Sequence, residues 1–445
     1  MVSRLGSWAE TVRRIPHAVS GVGRGESVMV LADQVLVSAS NFLTTLILAK
    51  YLNPEDFGGF VLAWGVLVFL AGIQMALIVS PMQVRGPRLG CEDSAPYYDR
   101  VLQVALLFGL ACVGVIAIPG VLLSLSIPDW TLGSLAVPLG IAALFVLAQD
   151  YLRRYFLTVR RTGSALLNDL CTHGFRLCAL FLLATTSTLS AAGALWMVSA
   201  ASAAALFIGI FQHEGVMRLR ITQLKTAGTV ARQHWEFGKW LVANNVAYWF
   251  GSQSVLYVVA AVLSVSAVGA LNATLAILGA ANILFLSMET LIPVRAAAEY
   301  ARFGRAGLDG YLRRALLVGS LAVLILAAIA GLWSEYWLSL LFGETYRGYG
   351  WIVWWWGGYY LLGMLQRPTT AALRVVGDTK SIYLASSMGA LATMVLGYPV
   401  IKHYGLGGAM LVLCLTQCFV LCSLRIRYMH TASEEHKPRL AHANE

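Results

Sequence analysis

The sequence predicts an all-α polytopic membrane protein, with about twelve transmembrane helices arranged as two parallel six-helix lobes. Three observations lead there. The 445-residue chain is 58% hydrophobic and only 12% charged, with a mean hydropathy of +0.70, which is too apolar for an ordinary soluble fold. Apolar stretches of about 20 residues, each long enough to cross a bilayer as a helix, recur along its whole length. The second half also repeats spacings found in the first.

Taken in order, residues 1–27 contain four arginines and no continuous apolar core. They read as a cytoplasmic N-terminal segment and not as a cleaved signal. Trp8, Val12 and Ile15 beside Arg13 and Arg14 fit a short interfacial helix. The first lobe, 28–211, places spans near 28–50, 57–80, 99–123, 133–156, 164–186 and 190–211. A cytoplasmic linker at 212–235 carries Arg218, Arg220, Lys225 and Arg232. The second lobe, 236–428, places spans near 237–262, 267–291, 314–333, 349–371, 381–400 and 405–425. Residues 429–445 are polar and read as a disordered cytoplasmic tail.

The net charge of +10 invites a nucleic-acid partner, but its distribution speaks against one. With the N-terminus inside, 28 of the 32 Lys and Arg fall on inner segments. Only Lys50, Arg347 and Lys402 lie outside, and Arg176 is left within a span. That is the positive-inside pattern. It accounts for the basic balance and predicts a multi-pass membrane protein with both termini cytoplasmic. The seven cysteines form no disulfide framework, because only Cys91 falls in a loop and that loop is on the reducing side. Cys414, Cys418 and Cys422 share a helix face without His or acidic neighbours, which fits small packing residues better than a metal site.

Leu52 precedes Gly58 by six residues, and Leu263 precedes Gly269 by six, at an offset of 211. Arg160-Arg161-Thr162-Gly163 and Arg374-Val375-Val376-Gly377 recur at an offset of 214, followed by Gly193-Ala194 and Gly408-Ala409. Each half contains an even number of spans, so the halves are parallel, an architecture that puts a transport site between them. The outer connections are short. A membrane polymerase or ligase that builds its site on the outer face has no loop here to build it from.

Four stretches carry a family resemblance. They are ASNFLTTLILAKYLNPEDFGGFVLA (39–63), AQDYLRRYFLTVRRTGSALLNDL (148–170), FGKWLVANN (237–245) and VVGDTKSIYLASSMGALATMVLGYPVIKHYGLGGAMLV (375–412). They resemble the multidrug/oligosaccharidyl-lipid/polysaccharide exporter superfamily, in particular its polysaccharide (O-antigen/exopolysaccharide) flippase branch, from about residue 28 to 425. The resemblance implies two six-helix lobes and alternating access that moves a polyprenyl-pyrophosphate-linked oligosaccharide between leaflets for surface polysaccharide biosynthesis. It also implies membrane lipid and glycan polymerase or glycosyltransferase partners. Flippases of the peptidoglycan-precursor type carry an Arg-Asp pair in the first helix. Here the pair is Ala32-Asp33, so that anion-binding role does not carry over.

The polar residues inside the spans are the candidate site. On the first helix Asp33, Ser40 and Thr44 lie close together, with Gln34 and Asn41 on the adjoining arc; such groups inside a bilayer usually face a bundle interior or a watery cavity. On the fifth, Asp169, His173 and Arg176 share a face. Arg176 reads either as the group that meets the pyrophosphate, held by Asp169 between cycles, or as part of a structural network. Asn244, Asn245 and Tyr248 on the seventh helix suit sugar hydroxyls and sugar faces, but interhelical hydrogen bonding would also use them. Asp33, Asp169 and Glu289 are the acids to test for ion coupling. Trp351, Trp354, Trp355, Trp356, Tyr359 and Tyr360 could stack on sugars or form an interfacial belt. Gly377-Asp378-Thr379-Lys380-Ser381 lacks the first glycine of a phosphate loop, and no catalytic motif stands out. The expectation is a flippase for lipid-linked oligosaccharide with no enzymatic activity, metal or cofactor. The alternative is a cation- or proton-coupled multidrug antiporter of the same superfamily.

Overall fold

The computed structural model describes residues 24–89, 91–127, 131–212 and 224–441. Residues 1–23 of the N-terminal segment and 213–223 of the expected linker lie outside them. Helix α1 (Arg24–Tyr51) ends in the turn at Asn53. There Asn53 Oδ1 accepts the Asp56 N–H at 2.8 Å and Pro54 takes the first helical position. Both choices suit a helix start, since one satisfies an orphan donor and the other has no donor to lose. Glu55 and Asp56 add favourable charge to the first turn.

Helix α2 (Pro54–Gln74) runs into a wider π turn at Met75–Val79 and continues as Ser80–Arg85. The disturbance has a cause in Pro81. Its ring supplies no N–H, so a carbonyl one turn back loses its helical partner. The remainder of the first lobe is α3 (Cys91–Ser126), α4 (Ala136–Thr158), α5 (Thr162–Thr185) and α6 (Ala191–Gln212). Helix α4 packs on α3 and α6, and α5 lies between α1 and α6. Ala142, Ala143, Leu147 and Leu152 on α4 are fully buried, small and branched residues that allow close helix contact.

In the second lobe α7 (Leu224–Ser252) and α8 (Ser254–Val262) are one span interrupted at Gln253. Helix α9 (Val265–Ile277) starts on a Ser264 cap and leads into α10 (Gly279–Leu332). Then follow α11 (Ser334–Phe342), α12 (Gly350–Val376) and α13 (Thr379–Ala441). Two of these helices are hairpins. Gly304 has φ 62° and Gly405 φ 58°, a conformation that glycine adopts without penalty. A Cβ on Gly307 would lie 2.9 Å from the Glu299 carbonyl oxygen, and one on Gly408 would lie 2.4 Å from that of Val400. Eight residues of straight helix would separate those positions by about 12 Å, so the chain doubles back at each glycine.

Eight helices among the described residues are long and apolar enough to cross a membrane. One of them, Thr379–Thr431, is folded in two at Gly405, which makes nine passes. The α7–α8 pair, α9 with the first arm of α10, and α12 bring the total to the expected twelve. The fold is therefore the all-α, polytopic, two-lobed architecture that the hydropathy pattern predicts. One local expectation needs correcting. The tail after Tyr428, expected to be disordered, continues α13 to Ala441, consistent with its Ala, Glu, Lys and Arg content.

The lobes meet along α2, where Trp249 Nε1 donates to the Gly65 carbonyl at 3.3 Å and the Tyr257 hydroxyl to that of Leu62 at 2.9 Å. At the end of the bundle bearing Asn53 and Ser264, α2 packs on α9; at the opposite end, which carries the basic connections and is called the basic end below, α7 packs on the π turn of α2. There His234 Nδ1 lies 3.1 Å from the Leu77 carbonyl oxygen, the group that Pro81 leaves without a helical donor. Gly238 lets the α7 backbone approach the Ala76 carbonyl.

Candidate functional site

Two polar regions lie inside the bundle, one in each lobe. The first is packed shut. Asp33, Ser40 and Thr44 are buried on α1, facing Asn168, Asp169, Thr172, His173 and Arg176, which are buried on α5. Helical spacing aligns each set into a stripe. Arg153, near the end of α4, joins them. Its Nη2 donates to Asp33 Oδ2 at 2.5 Å and its Nε donates to Asp169 Oδ2. Gln149 donates to Asn168 Oδ1 at 3.0 Å and to Asp169 Oδ1 at 3.2 Å, and Asn168 donates to the Ala205 carbonyl at 2.7 Å.

Arg176 is 4% exposed. It donates to Ser40 Oγ at 3.0 Å, Asn41 Oδ1 at 2.9 Å and His173 Nδ1 at 3.0 Å, and its guanidinium lies 5.9 Å from the Trp64 ring centroid. A guanidinium can only donate, so His173 Nδ1 accepts and that nitrogen carries no proton. The expected Asp169–Arg176 pair is not formed, because Asp169 is taken by Arg153. Arg176 is instead held by neutral acceptors. Three buried atoms here have no hydrogen-bond partner, Asp33 Oδ1, Thr44 Oγ1 and Arg176 Nε.

The second region is open. A cavity of about 670 Å³ lies among α7, α8, α9, α10, α12 and both arms of α13, a size typical of a small-molecule site. The three spans too polar or too interrupted to register as simple membrane helices are among those that line it. Amides come from Asn244, Gln253, Asn272, Gln366 and Gln417, and positive charge comes from Arg367 and Arg374. No Asp or Glu is among the described residues that line it.

Aromatic rings pass from one contact to the next along the cavity. Trp356 meets Tyr359 edge-on at 5.6 Å, Tyr359 meets Tyr360 at 6.2 Å, and Tyr360 stacks on Phe285 at 5.1 Å. Arg367 lies over Phe285 at 4.4 Å from the ring centroid. Trp356 Nε1 donates to Thr274 Oγ1 at 3.3 Å, which fixes the far end. Gln417 Nε2 donates to Gln366 Oε1 at 2.5 Å across α13 and α12.

The structure sorts the sequence candidates. Asn244 and Tyr248 line the cavity, and Tyr248 is 68% exposed. Asn245 faces the other way. Its Nδ2 lies 3.5 Å from the Phe69 carbonyl, and its amide fills the space above Gly72 on α2, so it joins the lobes. Asn41 is exposed and touches Arg176, while Gln34 is half-buried beside Asp33. The Glu289 side chain lies outside the described residues. The tryptophan cluster divides, with Trp351 and Trp354 exposed and Trp356, Tyr359 and Tyr360 on the cavity. Asp378 accepts the Ser381 N–H at 3.2 Å, a helix cap where a phosphate loop was considered. Sequence reasoning missed Arg153 and Arg367. Both were counted among inner loop charges, yet both reach into the bundle.

No family model and no curated protein matches the sequence. Solved structures do match. An inward-facing multidrug resistance MATE family transporter of the MOP superfamily superimposes with a TM-score of 0.71 at 14% identity, covering 88% of this chain and 95% of that one. The fold is shared with MOP superfamily transporters. The lipid II flippase MurJ in an inward closed conformation gives 0.66 at 12% identity, covering 91% and 87%. An outward-facing MATE family transporter gives 0.59 at 12% identity, covering 92% and 95%.

Proposed function

We propose that this protein is a flippase that translocates a polyprenyl-pyrophosphate-linked oligosaccharide across the bacterial inner membrane by alternating access. The observation that carries the reading is the lining of the second-lobe cavity, where amides, aromatic rings and two arginines meet with no acid among the described residues. Amides suit sugar hydroxyls, rings suit sugar faces, and arginine forks suit phosphate oxygens. A cationic drug would be repelled by such a lining. The fold shared with a lipid II flippase and with multidrug transporters supports a transport cycle and no covalent chemistry.

In this reading the basic end is cytoplasmic, as the positive-inside pattern requires. Contact of α2 with α9 joins the lobes at the outer end and contact of α7 with α2 joins them at the basic end; in this reading the cycle releases the two contacts in alternation. Sugar and pyrophosphate occupy the interior while the lipid tail stays in the bilayer. Arg176 adds positive charge from the first lobe, reached through exposed Asn41. Asp33 and Asp169, tied to Arg153, and Glu289 are the groups through which an ion gradient would act. Glycan polymerases or glycosyltransferases would supply and consume the cargo.

The second reading is a cation- or proton-coupled multidrug antiporter, favoured by the buried Asp33 whose Oδ1 has no hydrogen-bond partner. Deleting the gene in a host of known surface glycans separates the two. The flippase reading expects lipid-linked intermediates to accumulate on the inner leaflet while surface polysaccharide is lost. Unchanged glycans with altered dye or drug export would overturn it.

A further inference from the structure

We propose that the second-lobe cavity is a two-part subsite, in which Arg367 holds the phosphate of a lipid-linked sugar and Trp356, Tyr359 and Tyr360 hold its sugar rings. The proposal rests on the flippase reading and adds to it where each part of the cargo sits.

The parts are laid out along one helix. The cavity face of α12 runs from Trp356 to Arg374, about 27 Å of helix. Its aromatic residues gather at one end and its arginines at the other. Gly363 lies between them and has only Gln417 near it, 3.6 Å from where a Cβ would be. A side chain at that position would divide the cavity; glycine leaves it continuous.

Each end has chemistry suited to one half of the cargo. Sugar rings present C–H faces that pack on aromatic rings, and their hydroxyls need amide partners. Gln366 and Gln417 provide these at mid-length. Phosphate oxygens accept paired N–H donors in a fixed plane from arginine, whereas lysine offers only a point charge. Phe285 under the guanidinium of Arg367 restricts that plane and contributes a cation–π attraction. Away from bulk water the charge acts with more force than it would at the surface.

The arrangement also gives the cargo a direction. Arg374 is in the last turn of α12, and Arg367 is about 10 Å further from the basic end. A phosphate entering from the leaflet at the basic end meets Arg374 first and Arg367 second, with the sugars ahead of it among the aromatic rings.

The test uses full-length protein in nanodiscs with three probes: farnesyl pyrophosphate, farnesol, and lipid-linked oligosaccharide purified from the host membrane. The wild type is expected to retain both phosphorylated probes and not farnesol. Arg367→Gln should weaken both by about tenfold or more, and Arg367→Lys, which keeps charge without the fork, should recover only part. Tyr359→Leu should leave farnesyl pyrophosphate within about twofold and weaken the oligosaccharide lipid by about tenfold, a loss of about 1.4 kcal/mol. The proposal is overturned if Arg367→Gln binds as wild type does, or if Tyr359→Leu weakens both phosphorylated probes equally. Wild type that binds and flips the oligosaccharide lipid while both variants match it would remove this subsite alone. Wild type that binds neither phosphorylated probe but exports ethidium would remove the flippase reading and the subsite together.

Discussion

Gly58 and Gly269, 211 residues apart in the sequence, lie against the starts of each other's helices. A Cβ on Gly58 would fall 1.9 Å from the Val265 carbonyl oxygen, and one on Gly269 would fall 2.6 Å from that of Pro54. Neither can carry a side chain without parting α2 from α9. The repeat read in the sequence is therefore also a contact, in which equivalent glycines of the two halves close the end opposite the basic connections.

That contact predicts a conformational bias. Gly58→Ala must push against main chain, and overpacking of this kind costs about 1–3 kcal/mol. The cost falls only on the state in which this end is closed, so the population should shift by about fivefold or more toward the opposite state. Spin-label distances across Asn53 and Ser264 should lengthen in Gly58→Ala and stay unchanged in Ala63→Gly, which lies on the same helix away from the contact.

Arg153 neutralises two buried acids on two other helices. Arg153→Ala leaves Asp33 and Asp169 buried without a counter-charge, and breaking a buried ionic group from one side costs about 3–5 kcal/mol. Thermal unfolding in detergent should show a large loss for the single variant. Combining Arg153→Gln with Asp33→Asn and Asp169→Asn should recover most of it. A small loss in Arg153→Ala would mean that the triad is solvated.

Arg176 is held by neutral groups alone among the described residues, so its charge is spent on no internal acid. Arg176→Ala should abolish transport while the protein still inserts and unfolds within a few degrees of wild type. Near-normal transport would leave Arg176 a purely structural role.

His234 gives a pH test. Its Nδ1 must donate to the Leu77 carbonyl, so Nε2 accepts from Tyr97 O–H at 3.0 Å. Burial, aided by the Arg85 charge and opposed by the bond to Leu77, lowers its pKa from 6.5 to about 4. A lowered value means that the docked, neutral ring binds fewer protons than the free one. The stabilisation is complete above pH 6.5 and fades as pH falls toward 4. Hydrogen exchange at the start of α7 should accelerate across that window in wild type, and His234→Gln should flatten the dependence.

Much of the fold could be read from the sequence because hydropathy, charge sidedness and Asn53-Pro54 capping are local signals. The hairpins at Gly304 and Gly405 were less legible, since single glycines there replace the loops that polar runs led us to expect. The site was harder still. Whether Asn244 or Asn245 faces the cavity is a matter of helix rotation, and adjacent residues on one helix point about 100° apart. Arg153 sits 120 residues from Asp33 in sequence, so no spacing rule links them. Arg367 counts as an inner-side charge by its place near the end of the tenth span, yet α12 continues past it to Val376 and its side chain lines the cavity.

The most direct measurement of the central claim is flipping in proteoliposomes loaded on one leaflet with lipid-linked oligosaccharide from the host. The account predicts that wild-type protein brings the glycan to the other leaflet, where an added glycosidase cleaves it, and that Arg367→Gln and Arg176→Ala do not. Glycan that stays protected in the presence of wild-type protein, while the same vesicles exchange protons for a cationic dye, would contradict it.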